Sequence, residues 1–204
     1  MIKTEFNEII NDWKRVKNHC RVTDNKDFTE KEPTETFKKK LLISEHSPIR
    51  LLEYDWTWRD MPYWTHAEIA RHRFEKFIST QRDDRVDNEV PRGKKPQDAP
   101  VRFDGYANQQ NLIDAWRKRL CFMATKEARA YAVSFKFDLE EAGYKNEANV
   151  FVPHCVYRCG CPEFTPCGFW AGFKARCEHD GVDIFDIQQR YDKYTEVLHE
   201  MEGR

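Results

Sequence analysis

The sequence has no run approaching the roughly 18 apolar residues that a membrane span requires. Its opening, MIKTEFNEIINDWKRVKNHC, contains no continuous apolar stretch of the kind that marks a secretory leader. Net charge is almost absent: 34 Lys and Arg oppose 35 Asp and Glu, a formal balance of -1. No global field therefore draws the chain to nucleic acid or to a membrane surface, and any anion site must be local. A disulfide framework is missing too, because seven cysteines is an odd count and, without a leader, reads as reduced thiols. No internal repeat and no low-complexity tract interrupts the chain. These absences predict a cytoplasmic protein with no membrane partner, and the length of 204 residues predicts a single domain over 1–204.

What is present is an aromatic-rich, heavily charged composition able to build one sizeable core. A helix is expected over about residues 4–20, then a polar, Pro-broken connection, TDNKDFTEKEPTE. TETFKKKLLISEHSP reads as a second helix that starts at a Thr cap and stops before Pro48. In RLLEYDWTWRD, Leu52, Tyr54, Trp56 and Trp58 alternate with Glu53, Asp55, Thr57 and Arg59, the period-two pattern of a half-buried strand. MPYW then turns the chain, and Thr65-His66-Ala67-Glu68 fits a capping box that opens a further helix. DNEVPRGKKPQDAPVRFDG, with three prolines and two glycines, reads as an exposed loop long enough to be a lid. A helical pattern runs from Asn111 to Ala142 and closes at Gly143. ANVFVPHCVYRCGCPE is expected to be extended with turns, CGFWAGFKARC a short helix, and Ile184 to Met201 a final amphipathic helix.

The densest local charge is in AEIARHRFEKFISTQRDDR, where Arg71, His72, Arg73, Lys76, Arg82 and Arg85 gather around two phenylalanines. On a regular helix Arg71 and Arg73 would point about 200° apart. Either the helix ends there, or the two serve different ligands or subunits. The bland alternative is a solvated basic helix face.

Strand, turn, capped helix and Arg71-His72-Arg73 is the order surrounding the signature of the flavin-dependent thymidylate synthases, which this sequence resembles. Their motif is an Arg-His-Arg triplet, seven variable residues and a serine. VKNHCRVT, FKKKLLISEHSPIR, KEARAYAVSFKFDLEEAG, EANVFVPHC, GFWAGFKARC and DIQQRYDKY are similar to further family segments in the same order. The resemblance implies an α/β (α+β) fold with an antiparallel-rich sheet and long helices, in a homotetramer with FAD at subunit interfaces. It also implies conversion of dUMP to dTMP with methylenetetrahydrofolate and NADPH. By the same resemblance Arg71, His72, Arg73 and Arg176 form the catalytic set. His46, Arg71, His72, Arg73, Phe74 and Gln188 would hold the cofactor, and Ser79, Gln81, Arg82, Arg85, Asn149 and Arg176 the nucleotide. Fixed guanidinium groups suit such chemistry, because a reduced flavin and an attacked uracil both gather negative charge on ring carbonyls.

Three positions depart from the family pattern; one is Asp83, flanked by Arg82 and Arg85, where the family has an arginine. Gln81 stands where the motif has serine, with Ser79 and Thr80 just before it, and Asn149 stands where the Pro153 segment has an arginine. A related hydroxymethylase acting on a pyrimidine nucleotide is one alternative. Another is a non-catalytic nucleotide- or nucleic-acid-binding protein that uses RFEKFISTQRDDR to stack bases and neutralise phosphate. A tetrahedral zinc held by ligands from His154, Cys155, Cys159, Cys161 and Cys167 is a third reading. It is opposed by spacing, since Cys159 and Cys161 are one residue apart and no C-x2-C occurs; packed free thiols are the expectation.

Overall fold

The computed structural model describes residues 2–203. Strand β2 (Glu53–Pro62) realises the expected alternation: Tyr54, Trp56 and Trp58 are fully buried, while Arg59 and Asp60 are exposed. It forms the middle of a four-stranded antiparallel sheet with β1 (Glu5–Ile10), β3 (Glu75–Ile78) and β4 (Pro100–Asn108), in the order β1-β2-β4-β3. One face of the sheet is apolar, with Val101, Phe103, Gly105 and Ala107 of β4 continuing the tryptophan face of β2. The other face is polar and carries the Arg59–Glu5 and Arg102–Asp104 ion pairs and the Asn7–Asp55 hydrogen bond. Such a one-sided sheet needs a layer of helices on its apolar face only.

Helices α4 (Gln109–Arg119) and α5 (Lys126–Glu141) supply that layer. Trp116 and Phe135 meet Trp58 and Trp56, with Trp56–Phe135 and Trp58–Tyr131 ring centroids each 5.0 Å apart. Aromatic pairs of this kind contribute about 0.5–1.5 kcal/mol each beyond their buried area. Gly105 lies opposite Trp56 in the β2–β4 register, and a Cβ there would fall inside the indole ring. The remaining helices are α1 (Trp13–Thr23), α2 (Glu35–Ile43), α3 (Tyr63–Ile69), α6 (Lys145–Asn149), α7 (His154–Arg158), α8 (Phe169–His179) and α9 (Ile187–Glu202). α2 starts as expected, with Thr34 accepting from the Phe37 amide at 3.2 Å.

Five expectations are corrected. Residues 4–20 are not one helix: residues 5–10 pair with β2, and Asp12 caps α1 by accepting from the Arg15 amide at 2.8 Å. Thr65 caps nothing, because α3 already begins at Tyr63 and the Thr65 hydroxyl is buried among the described residues without a partner. The expected lid is shorter than its sequence suggested, since its last part, from Pro100, is strand β4. The helical pattern from Asn111 to Ala142 is broken at Leu120, with a turn through Ala124, although both halves face the same core. Within ANVFVPHCVYRCGCPE only residues 150–153 and those after α7 are extended or turning. Gly143 does close α5, at φ 96°.

Candidate functional site

α3 is short, and its last turn determines where the basic triplet points. The helix ends at Ile69, the His72 amide donates to the Ile69 carbonyl at 3.1 Å, and the Phe74 amide donates to the His72 carbonyl at 3.1 Å. Arg71, His72 and Arg73 therefore occupy a tight bend, which answers the geometrical question raised by a regular helix. Phe74 anchors the bend. It is 8% exposed and packs between Trp56 and Trp116, so this residue, expected at the cofactor, is turned mainly into the core. Lys76 donates to the carbonyls of His72, at 2.6 Å, and Phe74, while Asn111 donates to the carbonyl of Arg73. The three side chains are displayed from a backbone pinned on both sides.

The bend borders a cavity of about 480 Å³ into which Arg50, Arg71, Arg73 and Lys118 project, with Asp114 as the one acid. Among the described residues no carboxylate lies within ion-pair distance of those four cations. A second cavity of about 460 Å³ shares His72, Arg73, Asn108 and Asn111 with the first and extends to Glu53 and Tyr106. Asn108 sits where β4 runs into α4, and its side chain accepts from the Asn111 amide at 3.0 Å.

His72 has an unusual neighbour. The Nε of Arg119 donates to its Nε2 at 2.9 Å, and Glu68 holds Arg119 in turn at 2.8 Å. Burial, reinforced by the charges of Arg119, Lys118 and Lys76, pushes His72 down to about 4. The imidazole is thus neutral at pH 7, and accepting at Nε2 assigns its proton to Nδ1. The triplet presents two permanent cations flanking a neutral donor.

The second half of the basic stretch forms a different place. Ser79, Thr80, Gln81 and Arg82 border a cavity of about 260 Å³ with Tyr63, His66 and Arg92. Ser79 continues the β3–β4 pairing, its amide donating to Arg102 O at 2.9 Å and its hydroxyl accepting from the Arg102 amide at 3.0 Å. Gln81 Nε2 is buried without a partner among the described residues. Arg82 is paired with Asp84 at 2.6 Å, and Arg85 is exposed. The four residues of β3 separate this turn from the triplet by roughly 13 Å.

The other expected site residues lie elsewhere. His46 is exposed at the start of the 3-10 turn 47–51 and does not border the triplet cavity. Arg176, on α8, is engaged by Asp180 at 2.6 Å and Glu200 at 3.2 Å. Asn149 and Gln188 both donate to Asp192, at 2.8 and 2.7 Å, and Asn149 also accepts from Thr195 at 2.9 Å. The zinc set is not assembled: Cys159 turns toward Ile184 O, Cys155 is buried, and Cys167 is exposed. Among the described residues no three His, Cys, Asp or Glu side chains gather to hold a metal ion. Burial pushes the Cys155 thiol up to about 12.

Residues that sequence reasoning missed are Arg50, Glu68, Asn108, Asn111, Lys118 and Arg119, which surround the triplet from the 3-10 turn, α3, the end of β4 and α4. One local signal was available. Asn108 is a capping residue directly before a helical run, but it lay in a stretch whose neighbours read as loop.

No family model matches the sequence, and no curated protein is similar to it in sequence. The backbone, however, superposes on thymidylate synthase X (ThyX) from Helicobacter pylori, solved with FAD and dUMP, at a TM-score of 0.61 and 13% identity, over 74% of this chain and 99% of that one. The chain has the flavin-dependent thymidylate synthase fold. A second structure of flavin-dependent thymidylate synthase ThyX from the same organism, complexed with FAD and dUMP, aligns over 74% of this chain and 100% of its own at 0.61 and 11% identity. The UMP/dUMP methylase PolB from Streptomyces cacaoi, bound with 5-Br dUMP, aligns over 72% and 94% at 0.59 and 13% identity. The thymidylate synthase fold thus accommodates this sequence with its mixed helices and antiparallel sheet, as the resemblance implied.

Proposed function

We propose that the protein is a flavin-dependent enzyme that transfers a one-carbon unit from methylenetetrahydrofolate to a pyrimidine deoxynucleotide and reduces it, taking dUMP to dTMP with NADPH as reductant. The observation that carries this reading is the Arg71-His72-Arg73 bend at a cavity lined by four cations and one acid, in a fold shared with proteins solved with FAD and dUMP. That donor set fits a flavin, whose N1 and C2 carbonyl edge becomes anionic on reduction, and it fits phosphate.

Bound FAD would supply a hydride to the uracil ring from its N5. The chain's own part is binding and polarisation. Arg71 and Arg73 offer planar forks of donors that stay charged, and their field lowers the cost of negative charge developing on ring carbonyls. His72, kept neutral by burial and by Arg119, donates one hydrogen bond from Nδ1 without adding a third charge. Asn108 and Asn111 add amide groups at the same wall. No enzyme thiol is needed as nucleophile, in keeping with a Cys155 thiol that resists ionisation.

The nucleotide half is where a second reading enters. Asn149 occupies the family's arginine position and is committed to Asp192 and Thr195, and Arg176 is committed to Asp180 and Glu200. These commitments favour an altered pyrimidine substrate, such as that of a folate-dependent hydroxymethylase on the same flavin framework. The proposal includes a homotetramer, one domain over 1–204 and a cytoplasmic location. The test is an absorption spectrum of the purified protein, followed by titration of its flavin with dUMP and dCMP. A yellow protein whose flavin band moves with one of the two nucleotides is expected. A colourless protein that binds no FAD when offered it would overturn the reading.

A further inference from the structure

A third basic cavity lies at the C-terminal end of α4 and shares Lys118 with the triplet cavity. It measures about 440 Å³ and is bordered by Lys118, Arg119, His154 and Arg158, with Glu163 as its one acid. Lys118 and Arg158 have no carboxylate within ion-pair distance among the described residues, while Arg119 is balanced by Glu68. Arg158 instead turns its Nε toward His154 Nδ1, 3.4 Å away. Lys118 and Arg158 are both exposed, so water screens their repulsion and leaves their donors open to an anion arriving from solvent. The same field acts on His154, which burial, Arg158, Arg117 and Lys118 hold below the ordinary imidazole value. Met123, Ala124 and Pro162 complete the wall with apolar surface. Cations together with apolar groups in one lining suit a phosphate that carries an organic ring better than a bare surface counter-ion.

We propose that this cavity is a second anion subsite, which takes the phosphate or diphosphate group of a small organic molecule between Arg158, His154 and Lys118. It shares Lys118 with the triplet cavity, and Arg119 is bonded to His72, but Arg158 and His154 border this cavity and not the triplet's. An anion held there neutralises the field on His154, and two charge-assisted bonds from Arg158 fix its orientation.

The imidazole resonance of His154 in the full-length protein, assigned with His154→Gln, reports on this cavity alone. Inorganic pyrophosphate, adenosine diphosphate and adenosine are the probes. A saturable shift of the His154 resonance with pyrophosphate is expected, weakened about tenfold or more in Arg158→Gln and unchanged in Arg71→Gln, whose side chain borders only the triplet cavity. Adenosine diphosphate binding more tightly than pyrophosphate would support a nucleotide as the natural source, and the reverse order would support a free phosphate. The proposal is overturned if pyrophosphate leaves His154 unmoved, if Arg158→Gln binds it as well as the unaltered protein, or if adenosine alone binds. None of these results depends on whether the protein holds FAD.

Discussion

A single nitrogen decides how the basic triplet works. Burial first, and then the charge of Arg119, whose Nε donates to Nε2 of His72, push the imidazole down to about 4, since protonating it would also set two donors against each other in a half-buried place. The ordinary imidazole value in an unfolded chain is about 6.5. The folded value lies below it, so the stability associated with neutral His72 is fully present above pH 6.5 and is lost as pH falls through about 4. Urea midpoints measured between pH 6.5 and 4 should therefore decline more in the unaltered protein than in His72→Gln. In Arg119→Gln the His72 resonance should titrate closer to 6.5, and an unchanged titration would disprove the role given to Arg119. The triplet itself was legible as three letters in a row. Arg119 was not, because it approaches from 47 residues away, and no local spacing encodes that meeting.

At the scale of elements, alternation was readable where side chains were large and was lost where they were small. Tyr54, Trp56 and Trp58 announce β2, whereas β4 carries the same period through Val101, Phe103, Gly105 and Ala107 and was obscured by its proline and glycine. That glycine is the counterpart of Trp56. A methyl group at position 105 must displace the indole that stands at the centre of the aromatic layer. Gly105→Ala should cost about 1–3 kcal/mol, as overpacking does in tight cores, read as a fall in unfolding midpoint. A midpoint equal to that of the unaltered protein would mean that the sheet yields at no cost. β1 was unreadable for another reason: EFNEII has no clean alternation, and its pairing to β2 outweighs the helical reading of residues 4–20.

For the whole molecule, the separation of the two halves of the basic stretch along β3 has a consequence for assembly. In a symmetric oligomer Arg73 of one chain and Gln81 of a second can meet at one nucleotide, whereas within a chain β3 holds them a strand apart. Inactive Arg73→Ala and Gln81→Ala proteins, dissociated and reassembled together, should then regain activity that neither has alone. A mixture that stays inactive would mean that each chain works with its own pair. Sequence motifs named both halves of the stretch but could not show that a strand holds them apart.

The bulge between Phe6 and Glu8 bears on a hazard that a one-sided sheet brings with it. β1 is an outer strand, and its free backbone groups could template a neighbouring molecule. The extra residue twists that margin away from a straight ladder, and Glu5 and Glu8 place negative charge along it. The opposite margin, β3, is only four residues long and carries Glu75 and Lys76. Both borders of the sheet are thus shaped to refuse a fifth strand, which protects a protein rich in buried tryptophan from growing into fibres when it is crowded.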